Sequence, residues 1–384
     1  MSAPIPELNQ LQPLFFSPMG DPFYHYGESL VVRFVDRRGV VSTSNLNGGY
    51  REDLQYAFNN SCGRHPDVVA KRSTGMRGKT MTEHYVALAE DLGLPLAVTT
   101  GMGTAALIEN TAVSTREYHG VMVMAVTTAG IDINGGRAGE PAAYDEFRQT
   151  DLIKPGTINV FLFINALLDA GALTRAIVTA TEAKTAALQE LMANSRYSED
   201  LATGSGTDSM IAVCNRASET VLYNSGKHVL LGEMIGQTVK ESVKEALAKQ
   251  TAMTPSRQAS IEWQTKRYGI TKDAIITRCI QLYPSLQKEA LEEEMKQMNR
   301  DENLLAIVAA IAHLCDQNRW GILSDESISR TAGGMLDILL EEYRITDLNR
   351  TDFASVQGEP IYRTVLSQTI LTLAGILKQR IITD

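Results

Sequence analysis

Between residues 20 and 250 short β-branched runs alternate with helical runs, and beyond Gln250 no strand pattern recurs. That change of texture constrains the fold more than any other feature of the chain. Strands interleaved with helices require a sheet with helices packed on it, so the chain up to about residue 252 is expected to form an α/β or α+β domain. Thr254-Pro255-Ser256 reads as a linker. The stretches 285–298, 303–313, 334–343 and 361–381 then carry helical spacing, which predicts an α-helical C-terminal region. The expected domains are therefore 1–252 and 253–384.

Within the first domain, residues 31–35 and 40–43 flank Asp36-Arg37-Arg38-Gly39, a hairpin signal. Asn47-Gly48-Gly49 supplies a loop able to take positive φ. Residues 80–92 place Tyr85, Leu88 and Leu92 on one helix face, with Gly93 as a stop. Residues 120–128 and 158–164 read as buried strands and 210–213 as a further strand. Residues 173–191 and 228–249 read as helices packed on the sheet.

The 384 residues are 44% hydrophobic and 21% charged, which excludes disordered and fibrous classes. With 36 Lys and Arg against 45 Asp and Glu, the net charge of -9 argues against a nucleic-acid binder, because phosphate backbones reward clustered cations. The N-terminal stretch lacks a basic start followed by an apolar run, so no signal peptide is expected. The longest apolar run, residues 304–312, is far short of the ~20 residues a membrane span needs. Cys62, Cys214, Cys279 and Cys315 are scattered, with no Cys-x-x-Cys pair and no histidine at ligand spacing. Reduced cysteines in a cytoplasmic protein are the expectation, with no disulfide framework and no structural zinc.

Some apparent motifs fail on inspection. Gly75-Met76-Arg77-Gly78-Lys79-Thr80 ends like a nucleotide-binding P-loop, yet Ser73 stands where the first glycine belongs. The amides at that helix start, with Arg77 and Lys79, retain a weaker capacity to hold an anion. None of the six histidines (His25, His65, His84, His119, His228, His313) forms the i, i+4 pair of a helical metal site, so no metal is expected. His84, early in a helix after a Gly-rich loop, ranks first among them as a functional candidate. No Gly-x-Ser-x-Gly elbow is present.

The remaining signal is a set of polar, Gly-containing loops at strand and helix ends. They are Ser44-Asn45-Leu46-Asn47-Gly48-Gly49, Thr127-Thr128-Ala129-Gly130, Gly156-Thr157-Ile158-Asn159 and Thr203-Gly204-Ser205-Gly206-Thr207-Asp208-Ser209. To these the run Thr179-Ala180-Thr181-Glu182-Ala183-Lys184-Thr185 adds hydroxyl and charged groups inside an apolar helix, with Thr181 and Thr185 on one face. Each loop alone could be a turn, and Glu182 and Lys184 could form a solvated helix face. Together they point to a polar pocket at the sheet ends, where α/β sites form.

In order and spacing these runs, over roughly residues 20 to 250, resemble the adenosylcobinamide amidohydrolase family. The Thr-Glu-Ala-Lys-Thr and Gly-Thr-Asp-Ser runs are its more specific signals. The family pattern more often has Thr where this chain has Ser205. The helical region after about 252 lies outside the resemblance. Membership implies a corrinoid-salvage hydrolase that cuts the amide joining the corrin's propionate to the aminopropanol arm of adenosylcobinamide. Its products are adenosylcobyric acid and 1-amino-2-propanol. The corrinoid is then the substrate, no separate cofactor is implied, and a homo-oligomer is compatible with the reading.

Amide hydrolysis needs an activated nucleophile, donors for the oxyanion and an acid for the departing amine. A water activated by a carboxylate is the expected nucleophile, with Glu182 and Asp208 as base and orienting group or acid, provided the fold brings them together. His84 is the reserve base. Asn47, Gly48 and Gly49, residues 204–206 and Asn159 could serve the oxyanion. Lys184 could steady a carboxylate or meet the substrate. Thr207 and Ser209 are substrate-binding candidates or covalent nucleophiles. Met76, Met102, Met122 and Met124 could line a wide corrin pocket. A corrinoid-dependent mutase fits poorly, since no histidine has Asp two residues before it. The rivals are a non-catalytic corrinoid carrier or sensor with a partner-binding helical tail, and an amidohydrolase for another bulky amide.

Overall fold

The computed structural model describes residues 8–62, 77–142, 156–348 and 359–383. His65, Met76 and the start of the P-loop-like run lie outside them. The chain divides into two compact units, Met1–Tyr197 with Leu201–Thr254 and Ser198–Asp200 with Pro255–Asp384.

The first unit holds two sheets. One has five strands in the order β1 (Phe15–Phe16), β2 (Pro22–Tyr26), β3 (Ser29–Arg33), β6 (Tyr56–Ser61) and β7 (Thr99–Thr104). The other has six, in the order β5 (Gly49–Arg51), β4 (Arg38–Ser42), β14 (Ser209–Asn215), β11 (Thr157–Ile164), β9 (Val121–Gly130) and β8 (Ala112–Tyr118). Short ribbons pair β10 (Gly135–Gly136) with β13 (Gly204–Ser205) and β12 (Leu167–Leu168) with β15 (Val221–Leu222). The helices are α1 (Met81–Asp91), α2 (Ala170–Glu190) and α3 (Leu230–Thr251).

Side-chain alternation on β11 shows how these layers stack. Ile158, Val160, Leu162 and Ile164 join the core formed with Leu173, Ala176 and Ala180 of α2 and Ile235, Val239 and Val243 of α3. Phe161 and Phe163 point the other way, into a core shared with Phe23, Leu30 and Val32 of the five-stranded sheet. The far face of that sheet, with Val31 and Phe58, packs on Tyr85, Leu88 and Ala89 of α1. The result is four layers: α2 and α3, the six-stranded sheet, the five-stranded sheet, then α1. The mixed sheets confirm the expected α/β class. β11 runs parallel to β14, with α2 between them in sequence, and antiparallel to β9. All eight of its residues are buried, and from Val160 to Ile164 its sequence is apolar on both faces rather than alternating.

The hairpin expected around Asp36-Arg37-Arg38-Gly39 does not form. β3 pairs with β2 and β6, whereas β4 pairs with β14 and β5 in the other sheet. The reason lies in Arg38, which is buried rather than at an exposed tip. Its guanidinium donates to both carboxylate oxygens of buried Asp21 at 2.9 and 3.2 Å, and also to the Met19 carbonyl and Asn215. Asp21 in turn accepts from Ser17 and from the Val35 amide. The connection is thus a crossing between sheets, fastened by an ion pair.

The second unit packs helices around one apolar core: α4 (Pro255–Gln258), α5 (Ile261–Thr265), α6 (Lys272–Leu282), α7 (Lys288–Met298), α8 (Glu302–Arg319), α9 (Asp325–Glu342) and α10 (Ile361–Thr383). What read as a linker at residues 254–256 contains the start of α4, because Pro255 suits a first helical position. Inside this unit Arg267 grips buried Asp316 with two bonds of 2.6 Å, and the Tyr268 hydroxyl donates to the same carboxylate. Arg319 meets Asp200 and Glu199, and Arg363 pairs with Glu199. Burial pushes the Tyr268 phenol up and raises the Cys315 thiol to about 12, so Cys315 stays a thiol at neutral pH.

The inter-sheet ion pair yields a stability prediction. Arg38→Met leaves the Asp21 carboxylate buried without its cation and should cost about 3–5 kcal/mol. The urea midpoint should fall accordingly, and an unchanged midpoint would mean that the pair does not hold the crossing.

Candidate active site

The register of the six-stranded sheet gathers polar loops at one end. Asn159 of β11 lies opposite Ser209 of β14 and opposite Thr128 of β9, and Ser42 of β4 pairs with Ile211. The ribbon of β10 with β13 sets Gly135 against Ser205 and Gly136 against Gly204. Residues 127–130, 156–159 and 203–209 therefore meet around the start of β11.

Asp208 is the centre of this cluster. Its Oδ1 accepts from the Ile158 amide at 2.9 Å and from Ser205 Oγ at 2.6 Å, and its Oδ2 accepts from the Ser205 amide at 3.0 Å. Lys184 of α2 pairs with the same Oδ2. The side chains are only 8% (Lys184) and 10% (Asp208) exposed, so this is a nearly buried charge pair with hydrogen bonds on both oxygens. Such a pair is tolerated in a low-dielectric site only when it is satisfied in this way. A side chain at Gly204 would push on the pair. A Cβ on it would fall 2.3 Å from Asp208 Oδ2 and 2.6 Å from Lys184 Nζ.

The loop itself is pinned by hydroxyls. Thr157 Oγ1 donates to the Thr207 carbonyl at 2.7 Å. The Gly156 carbonyl accepts from Asn134 Nδ2 at 2.5 Å, Thr207 Oγ1 at 3.0 Å and Ser205 Oγ at 3.3 Å. Gly156 takes φ +142°, and a Cβ there would strike Asn134 Oδ1 at 2.1 Å. Ser205 and Asn134 are members of this site that sequence reasoning did not single out. The i, i+3 spacing of Ser205 and Asp208, typical of a side-chain-closed turn, was the available signal.

Behind this cluster a polar layer sits between the two sheets. Asn159 Nδ2 donates to Asn59 Oδ1 at 2.8 Å and to the Gly103 carbonyl at 2.9 Å, and Asn59 donates to Thr128. Asn159 is fully buried. Asn47 takes positive φ, as its loop implied, but its amide nitrogen is committed to the Leu96 and Thr99 carbonyls at 2.7 Å each. Gly49 also takes positive φ, while a Cβ on Gly48 would strike the Ser44 carbonyl. Thr207 is exposed at the loop tip, and Ser209 is half-buried where β14 begins.

Glu182 and Asp208 are not joined in one hydrogen-bonded unit. Two residues apart on a helix point some 200° apart, and so Lys184 turns inward to Asp208 while Glu182 lies exposed, paired with Lys227 at 3.0 Å. His84 lies on α1, the helix on the outer face of the five-stranded sheet. Its Nδ1 accepts from the Arg77 amide at 3.2 Å, and burial, then the Arg77 charge, hold its imidazole below its ordinary value. Thr80 caps α1 by accepting from the Glu83 amide, and the Glu83 carboxylate accepts from the Lys79 amide. That reciprocal cap occupies an amide that an anion would have used. Among the described residues no three His, Cys, Asp or Glu side chains come together as a metal site, and no helix is long and apolar enough to cross a membrane.

Residues 18–255 match the adenosylcobinamide amidohydrolase family (CbiZ), and the chain belongs to that family, a hydrolase family of cobalamin biosynthesis. An uncharacterized protein, MJ1613, of Methanocaldococcus jannaschii is 35% identical over 235 residues, 58% of this chain and 87% of that one. Among solved structures, the PH0078 protein from Pyrococcus horikoshii is 10% identical with a TM-score of 0.27, covering 62% of this chain and 82% of its own. A Burkholderia sp. beta-aminopeptidase is 13% identical with a TM-score of 0.31, covering 62% of this chain and 88% of its own.

The pair can be tested without an assay of activity. Lys184→Met should destabilise the protein by about 3–5 kcal/mol, since it strands a nearly buried carboxylate. Adding Asp208→Asn, which removes the stranded charge and keeps an acceptor for the surrounding donors, should recover part of that loss in urea unfolding. Additive losses in the double variant would mean the two side chains are not coupled.

Proposed function

We propose that the protein hydrolyses the side-chain amide of adenosylcobinamide to adenosylcobyric acid and 1-amino-2-propanol, with Asp208 as the base that activates water. The observation that carries this reading is the Asp208 carboxylate, held on both oxygens and paired with Lys184 at the loop end of the sheet, in a chain of the adenosylcobinamide amidohydrolase family.

In this reading the attacking water takes the place of the Ser205 hydroxyl at Asp208 Oδ1, since the Ile158 and Ser205 amides and Lys184 hold the other acceptor positions of the carboxylate. Asp208 takes a proton from it as the water oxygen attacks the amide carbonyl. The tetrahedral oxyanion faces Lys184, an ammonium with three N–H bonds, of which Asp208 takes one. Collapse breaks the C–N bond, and the proton passes to the departing amine, leaving the carboxylic acid on the corrin. The Ser205 amide keeps Asp208 oriented through its 3.0 Å bond to Oδ2. Asn47 and Asn159 serve the loops and the inter-sheet layer rather than the oxyanion, because their amide nitrogens already have two carbonyl or amide partners each. The corrinoid is substrate, and no step calls for a further cofactor.

Steady-state kinetics on adenosylcobinamide separate the carboxylates and the histidine. Asp208→Asn should lower kcat by about 10²–10⁴ with the fold retained, the range expected for loss of a general base. His84→Gln keeps an acceptor for the Arg77 amide and should leave kcat within about threefold. Near-normal kcat in Asp208→Asn removes this residue from the chemistry, and a comparable loss in Glu182→Gln returns the second carboxylate to it.

A further inference from the structure

Two side-chain donors converge on the carbonyl oxygen of Gly156, Asn134 Nδ2 at 2.5 Å and Thr207 Oγ1 at 3.0 Å. A further hydroxyl, Ser205 Oγ, stands 3.3 Å from that oxygen and gives its one proton to Asp208 Oδ1 at 2.6 Å. Both lone pairs of the peptide oxygen are therefore met in the ground state. An oxyanion at the same atom has three lone pairs and is a far stronger base than a carboxylate, so it draws the Ser205 proton across. Donors that bind more tightly as charge develops lower the barrier to a tetrahedral intermediate.

The residues on the two sides of the Gly156–Thr157 bond complete the arrangement. Gly156 takes φ +142°, and a Cβ there would meet Asn134 Oδ1 at 2.1 Å, so the donors close only around glycine. Thr157 follows it and carries a hydroxyl that reaches the Gly156 carbonyl carbon through a five-membered ring. An attack made within the chain in this way has an effective concentration far above that of a free alcohol. Thr157 Oγ1 donates to the Thr207 carbonyl at 2.7 Å, which engages its proton and leaves its lone pairs uncommitted among the described residues. Thr207 thus holds both the hydroxyl that would attack and the oxygen that would take the charge.

We propose that the chain cleaves itself between Gly156 and Thr157. Thr157 Oγ1 adds to the Gly156 carbonyl carbon, the C–N bond breaks, and the hydroxyl proton ends on the Thr157 nitrogen, which becomes an amine. The Gly156 acyl group is then an ester on Thr157. One water, admitted at the exposed Thr207 tip, hydrolyses the ester to a carboxylic acid on Gly156 and restores the Thr157 hydroxyl beside a free α-amine. This activity is on the protein's own backbone and does not rest on the reading of Asp208 as a base toward a corrinoid.

The intact mass of the purified full-length protein under denaturing conditions reads the outcome. Two chains are expected, 1–156 and 157–384, with masses that sum to the parent plus one water, and N-terminal sequencing of the second should begin Thr-Ile-Asn-Val. Thr157→Val keeps the side-chain shape and should remain a single chain, whereas Thr157→Ser should still cut. Asn134→Ala should slow cutting by about tenfold or more. Should Thr157→Val fail to fold, neutral hydroxylamine added to the slow Asn134→Ala variant decides, because it intercepts the ester and leaves Gly156 as a hydroxamate. A wild-type chain that stays whole overturns the proposal, as does an absent hydroxamate, and as does cutting that persists in Thr157→Val and so marks an outside protease. A whole chain that releases the amine from adenosylcobinamide overturns self-cleavage alone, and a cut chain that leaves adenosylcobinamide intact overturns the hydrolase reading alone.

Discussion

Strand β11 is the element on which the rest of the first unit depends. It is buried along its whole length, contributes alternate side chains to two separate cores, and is hydrogen-bonded to a parallel neighbour on one edge and an antiparallel one on the other. Its register decides which residues can meet at its beginning, where backbone polar groups leave the ladder and must find side chains. Asp208, Ser205, Thr207 and Asn134 answer that need, through the Ile158 amide and the Gly156 carbonyl. The carboxylate proposed as the base is thus also one that satisfies the backbone at the start of this strand.

Two nearly buried ion pairs in this unit do different jobs. Arg38 with Asp21 fastens the chain where it crosses between sheets, and both side chains are buried. Lys184 with Asp208 sits at a half-buried loop beside an exposed tip, so a ligand can reach it. Both cost desolvation, and hydrophobic replacements of similar shape would serve stability as well or better. That charge pair at the loop end of the sheet is the feature on which the proposal for Asp208 rests.

Much of this was legible in the sequence, for identifiable reasons. The long helices announced themselves by period and by stops such as Gly93, and β11 by a continuous apolar run. The family was legible because its loops are short, polar and ordered along the chain. The turn at residues 36–39 misled because its four residues carry ordinary hairpin chemistry, while the partner that overrides it, Asp21, lies seventeen positions away. Glu182 misled for a related reason: adjacency to Lys184 in sequence hides the helical rotation that separates their faces. Asn159 looked like a substrate ligand, and only the second sheet packed over it reveals why its amide is committed elsewhere. Asn134 carried no sequence signal, since its contact with the Gly156 carbonyl spans 22 positions, whereas Ser205 meets Asp208 three positions away and the Gly156 carbonyl across 49.

The most direct measurement is product identification: purified protein incubated with adenosylcobinamide, with 1-amino-2-propanol followed by mass spectrometry in the presence and absence of a chelator. The account predicts stoichiometric release of the amine with adenosylcobyric acid, undiminished by the chelator. A corrin spectrum that co-elutes with the protein while the amide stays intact would contradict it and describe a carrier instead. Loss of release on chelation would contradict the carboxylate-activated water and call for a metal in its place.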